Sequence, residues 1–499
     1  MREATGSFGL GSLASGAITA LAAAVQTGLA ALVGVILARE FGRGPETDGF
    51  FAAYGVFVVC LLAATSVRVT LLPALARARS DNRLASETTA YAVSVSTVAL
   101  PALALAILLR EPIADLLTGT DAPALARETA ADLLPWMLLA ATFQLYAGLL
   151  ASALAALNDY AVAASGYVAG SVLGLAVIVW RLDADGVVSI AWGMAVNGVI
   201  ALALPAAVLL FRARSERMPG VAARPSGGRH LSRLGELGGT AVLPLALQAI
   251  YLVCIPLAAR EGVGGVTSFG YAYLVAAALV GITASSLALV TSVPLTRSEL
   301  DPARAARHIV SSSWVALAAI AALAGIFGVA GGQIVERMLG PGYGADVGDE
   351  VGRLVVLLSL WAVAAVGVSV TYPLVIIGGR AARLGPALSL GLLLLHVPVA
   401  FAGQVIGGLD GLAVAMAVTT LLMLLGLLGS MRATGPTLRG LGLAAVTTGA
   451  LAAVSFVGPA LVLEPAVAAL AGAGLYGVLL AALRPPGLLG AWRYLRTLG

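Results

Sequence analysis

One arginine, Arg68, lies inside a long run of apolar residues instead of at the end of one. An ionised group at membrane depth is costly, and it usually faces a cavity or a partner. The alternative is that the side chain extends along its helix until the guanidinium reaches the headgroup region. If Arg68 lines a cavity, its fixed cation suits an anionic substrate such as a phosphate or pyrophosphate, because a guanidinium binds these groups through paired hydrogen bonds.

Three further polar residues are candidates for a substrate cavity. Asp48 precedes the apolar run that contains Arg68, and it is either the N-cap of that predicted helix or a functional acid. Gln26 and Gln248 are uncharged polar groups within other apolar runs, where they either form interhelical hydrogen bonds or contact substrate. The candidate site therefore consists of Arg68, Asp48, Gln26 and Gln248.

Catalysis is not predicted for this chain. Its histidines, His230, His308 and His396, are dispersed, and no Ser, Thr or Cys has a plausible base partner. The sequence also lacks a glycine-rich phosphate-binding loop. We therefore expect no enzymatic activity, no cofactor and no metal site.

The elements that must position the candidate residues are membrane-spanning helices. Of the 499 residues, 60% are apolar and 11% are charged, with a mean hydropathy of +0.99, whereas soluble domains carry roughly 25% charged residues. Long unbroken apolar runs predict an all-α polytopic membrane protein with fourteen transmembrane helices. Their predicted centres lie near residues 26, 63, 98, 144, 170, 200, 248, 282, 319, 364, 394, 420, 448 and 474.

The distribution of charge predicts the orientation of these helices. All 29 basic residues are arginines, and most of them lie at the termini or in loops that follow even-numbered helices. Most acidic residues lie in the other loops, so the positive-inside rule places both termini in the cytoplasm. Because the arginines are spread over many short loops, no nucleic-acid partner is expected.

Two pairs of segments at one common offset indicate an internal repeat. LLPALARARSDNR at 71–83 resembles SVPLTRSELDPAR at 292–304, and residues 148–161 resemble residues 369–382. Parallel repeats of this kind build transporters whose site lies between the repeats. We predict an N-lobe of helices 1–6 (1–211), a basic cytoplasmic linker (212–235), a C-lobe of helices 7–12 (236–432), and helices 13–14 with a cytoplasmic tail (433–499).

Several stretches resemble a known family. LAREFGRGPETDGFFAAY at 37–54 resembles the end of helix 1, the outer loop and the start of helix 2 in the MurJ (MviN) lipid II flippases of the multidrug/oligosaccharidyl-lipid/polysaccharide (MOP) exporter superfamily. TLLPALARARS at 70–80 is similar to that family's exit from helix 2. Residues 143–179, with LNDY at their turn, resemble helices 4 and 5.

The resemblance implies an alternating-access flippase of the bacterial cytoplasmic membrane. Its substrate would be a polyprenyl-diphosphate-linked cell-wall or polysaccharide precursor similar to lipid II, moved from the inner to the outer leaflet. Asp48 matches a functional acidic residue of the family. The implied partners are the lipid-linked glycan, the bilayer and proteins of cell-wall synthesis.

Two other functions remain open. The family's arginines in helices 1, 2 and 8 have no counterpart in the aligned stretches 26–38, 59–61 and 268–280, which favours a transport-inactive scaffold in a cell-wall complex. Ion-coupled drug or metabolite exporters of the same superfamily share the two-lobe bundle. They usually need a carboxylate at membrane depth, and none lies near the centre of a predicted span.

Overall fold

The computed structural model describes residues 12–215, 230–285, 301–377 and 381–498, and within these ranges it contains helices and turns but no strand. In the first half of the chain the helices are α1 Ser12–Phe41, α2 Pro45–Ser80, α3 Leu84–Leu108, α4 Arg110–Thr118, α5 Ala124–Ala156, α6 Tyr160–Asp185, α7 Val188–Ser215 and α8 His230–Ala258. They are followed by α9 Gly265–Val280, α10 Pro302–Leu339, α11 Ala345–Ile377, α12 Ala381–Ser430, α13 Thr434–Ala460, α14 Pro465–Leu483 and α15 Pro486–Leu498. Short 3-10 turns occupy Ala259–Glu261 and Pro341–Tyr343, and a π-helical turn, Gly281–Ser285, extends α9.

The predicted all-α polytopic membrane fold is confirmed. Within the described ranges, twelve helices are long and apolar enough to cross a membrane. Each predicted helix centre also falls on a helical residue. The count of fourteen spans and the cytoplasmic location of both termini stay predictions.

Two of the predicted centres lie in α12 because this helix is a hairpin. Gly407 and Gly408 have non-helical backbone angles, and the φ of Gly408 is +56°, a conformation that glycine adopts far more readily than other residues. On either side of this turn, Gly403 and Gly411 are in such close contact that a Cβ on Gly411 would collide with the carbonyl oxygen of Gly403. The two arms of α12 therefore run side by side.

The chain divides into two compact units. Unit 1 comprises residues 1–37, 49–120 and 124–248, and unit 2 comprises residues 38–48, 121–123 and 249–499. The lobes and linker defined from the sequence repeat stay a prediction, and most of the linker lies outside the described residues.

Small residues bring the helices of unit 1 together. Gly170 on α6 lies so close to α7 that a Cβ there would come within 2.6 Å of the carbonyl oxygen of Asn197. The Asn197 amide accepts a hydrogen bond from Gln144 on α5 at 3.2 Å and donates one to Ser171 on α6 at 3.3 Å. Close helix approach and interhelical hydrogen bonds are the interactions that hold membrane helices together.

Aromatic and polar side chains are buried within unit 2. Tyr251 on α8 stacks on Tyr273 of α9 with their ring centroids 3.9 Å apart. His396, on the first arm of α12, is fully buried. One of its ring nitrogens lies 3.0 Å from the carbonyl oxygen of Ile250 and the other 3.0 Å from the hydroxyl of Thr419 on the second arm. His396 therefore joins α8 to both arms of the hairpin.

The predicted C-terminal tail contains a helix, α15, that packs against α10. Tyr494 lies with its hydroxyl 3.0 Å from Nδ1 of His308. Gly487 lies directly against the indole of Trp314. The packing is possible because glycine at 487 leaves room for the indole and because α15 is amphipathic.

Candidate functional site

The segment that joins α1 to α2 carries most of the polar side chains in the 37–54 motif, and we call residues 38–48 the α1–α2 segment. It belongs to unit 2. The segment ends α1 through Gly42, whose φ of +63° is a left-handed conformation that suits glycine. The new helix then begins at Pro45, where proline lacks the N–H that the first turn of a helix leaves unpaired.

Asp48 lies in the first turn of α2, but its carboxylate caps α9. Its Oδ2 accepts a hydrogen bond from the backbone N–H of Gly264 at 2.7 Å. Its Oδ1 accepts from the backbone N–H of Thr267 at 2.8 Å and from the Thr267 hydroxyl at 2.6 Å. The residue at the N-cap position of α9 is Gly264, which has no side chain to do this. Asp48 thus supplies from another helix the cap that the α9 sequence lacks.

Arg43 ties the same segment to two further elements of unit 2. Its Nε donates to the carbonyl oxygen of Gly264 at 3.1 Å and to the Ser268 hydroxyl at 3.0 Å. Its Nη2 forms an ion pair with Glu350 on α11 at 3.0 Å. Together Arg43 and Asp48 therefore engage both the carbonyl and the amide of Gly264.

The remaining polar contacts of the segment satisfy backbone carbonyl groups. Arg39 donates to the carbonyl oxygens of Arg337 and Met338 at 3.0 and 3.1 Å, at the C-terminal end of α10, where a cation also interacts favourably with the helix dipole. Thr47 and Tyr343 both donate to the carbonyl oxygen of Gly42, at 2.8 and 2.9 Å. Burial raises the pKa of the Tyr343 hydroxyl, so this group stays a donor at physiological pH.

The contacts of this site position helices relative to one another within unit 2. Asp48 is 5% exposed, and both of its oxygens already accept hydrogen bonds. The contacts of Asp48 come from α9 residues that were not among the four sequence candidates.

No group of three or more His, Cys, Asp or Glu residues with the arrangement of a metal site occurs in the part of the chain that the structure describes.

The other three candidates occupy different helices. Gln26 is half-buried on α1 and Gln248 is buried on α8. Arg68 lies within α2, but its side chain is outside the described residues. Their role in a substrate cavity stays a prediction.

Sequence reasoning missed the partners of the α1–α2 segment. Thr267 and Ser268 are small polar residues at the start of an apolar run and carry no distinctive signal. For the pairing of Arg43 with Glu350 the sequence offered one indication. The two opposite charges lie in loops that the charge distribution predicts to face the same side of the membrane. Nothing in the sequence, however, selected Glu350 over the neighbouring acids.

Comparison with known proteins connects this architecture to one family. The family model described as lipid II flippase MurJ matches residues 37–377, which is more than half of the chain and includes the whole α1–α2 segment and α9. No curated protein sequence matches the chain.

Solved structures share the fold at low sequence identity. A structure of the lipid II flippase MurJ in an inward closed conformation has a TM-score of 0.70 and 14% identity, and the match covers 93% of this chain and 98% of that one. A MOP superfamily transporter from Pyrococcus furiosus has a TM-score of 0.60 and 16% identity, covering 85% and 96%. An inward-facing multidrug resistance transporter of the MATE family has a TM-score of 0.59 and 15% identity, with the same coverage. These likenesses concern the fold, whereas the family model matches the sequence over most of its length, and the chain therefore belongs to the MurJ lipid II flippase family.

Proposed function

We propose that this protein is a flippase that moves a polyprenyl-diphosphate-linked cell-wall or polysaccharide precursor from the inner to the outer leaflet by alternating access. The observation that carries the proposal is the family match over residues 37–377. A multi-pass helical membrane protein of this type suits an amphipathic cargo, because the polyprenyl chain can stay in the lipid while the polar headgroup is transferred. The proposed location is the bacterial cytoplasmic membrane, with proteins of cell-wall synthesis as partners.

The contacts of the α1–α2 segment support a positioning role for its charged residues in this flippase. Asp48, Arg43 and Arg39 fix the segment to α9, α11 and α10 of unit 2 through side-chain hydrogen bonds and one ion pair. We infer that Asp48 acts as a positioning residue, since its oxygens are occupied by backbone and hydroxyl donors. A carboxylate used in this way orders the start of α9 without contacting cargo.

Recognition of the diphosphate requires a cation, and Arg68 is the proposed one within the spans. A guanidinium can bind two phosphate oxygens at once, so Arg68→Gln should reduce flipping more than Arg68→Lys. Gln26 and Gln248 are proposed to contact the glycan, because an amide both donates to and accepts from sugar hydroxyls.

Genetic replacement tests the proposed function. Cells depleted of their own lipid II flippase are supplied with this protein, and the precursor that reaches the outer leaflet is measured by its accessibility to an externally added modifying enzyme. We expect wild-type protein and the Glu46→Gln control to restore access, and Arg68→Gln to restore much less.

Two results would contradict the proposal. If the protein is present in the membrane but lipid II stays inaccessible, lipid II is not its cargo. The proposal is then refuted if no other lipid-linked glycan becomes accessible in the same assay. Accumulation of small drugs that falls only when an ion gradient is present would instead identify an ion-coupled exporter.

A further inference from the structure

A buried arginine in unit 1 lies outside the site described above. Arg233, in the first turn of α8, is 7% exposed. Its Nη2 donates to Oε2 of Glu87, in the first turn of α3, at 2.8 Å. Its guanidinium carbon lies 5.4 Å from the ring centroid of Tyr91, one turn further along α3. The guanidinium is thus held by one carboxylate and one aromatic face.

One donor atom of this guanidinium has no acceptor among the described residues. The Nη1 atom of Arg233 is buried and makes no hydrogen bond to any part of the chain that the structure describes. A buried donor without a partner loses its hydration without compensation, and the penalty is larger when the group carries charge. Glu87 satisfies only the Nη2 side, so the pair is chemically incomplete.

The surroundings favour a second anion over a second cation. Arg233 and Glu87 lie at the N-terminal ends of α8 and α3, where the partial charge of a helix is positive. The N-cap residue of α3, Arg83, makes no capping hydrogen bond with its side chain and pairs with Asp81 instead. Helix N-termini that lack a side-chain cap are suited to bind phosphate.

We propose that Arg233, supported by Tyr91, binds a phosphate group of a lipid headgroup, and that Glu87 is an internal anion which the phosphate displaces. A phosphate offers several oxygens to the guanidinium fork, so it can engage the free Nη1 and the Nη2 donor together. The charge distribution of the sequence predicts that this end of α3 and α8 faces the cytoplasm, at the level of lipid headgroups. The phosphate can come from the diphosphate of the proposed cargo, in which case the inference rests on the proposed function, or from an anionic lipid of the bilayer.

Lipid binding to the full-length protein in detergent tests the proposal without requiring transport. Two matched pairs of ligands separate the two sources: polyprenyl diphosphate against polyprenol, and phosphatidylglycerol against diacylglycerol. We expect the phosphate-bearing member of at least one pair to bind at least tenfold more tightly than its phosphate-free partner. Preference in the first pair alone assigns the site to cargo, and preference in the second assigns it to a bilayer lipid.

Variants with opposite expected effects separate a binding site from a structural ion pair. Arg233→Gln should weaken phosphate-lipid binding about tenfold, whereas Glu87→Gln should strengthen it several-fold because the competing carboxylate is gone. Arg212→Gln is the control, since Arg212 also pairs with an acid, Asp159, near the end of a unit 1 helix, and it should change binding little.

Two results with these variants would overturn the proposal. Equal binding by wild type and Arg233→Gln would overturn it. Weaker or unchanged binding by Glu87→Gln would also overturn it, and this outcome applies even if Arg233→Gln fails to fold. If wild-type protein binds phosphate lipids as expected but does not flip the precursor in cells, the proposed function is wrong and the phosphate site stands.

Discussion

Asp48 caps a helix that begins more than two hundred residues later in the chain, through two hydrogen bonds from the backbone and hydroxyl of Thr267. A third bond, from the amide of Gly264, completes the cap. These bonds satisfy backbone donors that α9 itself cannot satisfy, because its N-cap residue is glycine. The order of the α1–α2 segment and the start of α9 therefore depend on each other.

Asp48→Asn should destabilise the protein by about 1–3 kcal/mol, because the amide NH2 would face a backbone N–H and leave one donor unpaired. Thermal unfolding in detergent measures the change. Glu46→Gln makes the same chemical change in the same turn of α2 and should have an effect within about 0.5 kcal/mol. Equal effects of the two substitutions would show that the cap contributes little.

Arg43 and Glu350 should show a measurable coupling energy. Both side chains are partly shielded, at 23% and 28% exposure, so a double-mutant cycle of Arg43→Gln and Glu350→Gln should give about 0.5–1 kcal/mol, decreasing with salt. The Arg353–Asp410 pair is the control, since its side chains are 59% and 37% exposed. A coupling at Arg353–Asp410 as large as that at Arg43–Glu350 would contradict this prediction.

Gly411→Ala should destabilise the α12 hairpin strongly. The added Cβ would collide with the backbone of Gly403, and relief of such a clash in a packed interior typically costs about 1–3 kcal/mol. Gly407→Ala adds the same atom where no part of the described structure lies within 4 Å, and it should be tolerated. Unfolding temperatures of the two variants provide the comparison, and a Gly411→Ala protein as stable as Gly407→Ala would refute the close packing of the arms.

Gly487→Ala should loosen α15 from α10, because the added methyl group would overlap the indole of Trp314. Gly490→Ala, in the same helix, meets no atom of the described residues within 4 Å. Both substitutions replace glycine by the better helix former alanine in one helix, so a loss of stability in Gly487→Ala alone reports the contact with Trp314. Faster tryptic cleavage after Arg493 in Gly487→Ala alone is the expected result, and equal cleavage of both variants would argue against docking of α15.

Much of the architecture followed from the sequence because it depends on local composition. The apolar runs around centres such as 98, 170 and 364 predicted helices that the structure contains. The motif at 37–54 indicated the family, which the match over residues 37–377 confirmed. The predicted break between the centres at 394 and 420 corresponds to the turn at Gly407 and Gly408.

Other features could not be predicted from local pattern. The tail after residue 483 contains a helix, and its amphipathic residues gave only a weak signal because it is 13 residues long, too short to span a membrane. The pairing of Glu87 with Arg233 depends on how α3 and α8 pack within unit 1.

The sequence by itself determined the class of protein, the position of most of its long helices and its family. Hydrophobic runs and short motifs carry that information because each is complete within a few tens of residues. Only the tertiary structure decided that Asp48 caps α9, that Gly403 meets Gly411 and that a buried donor of Arg233 has no acceptor among the described residues. The physical reason is that a buried polar group must find its partner in space, and chain separation places no limit on where that partner lies.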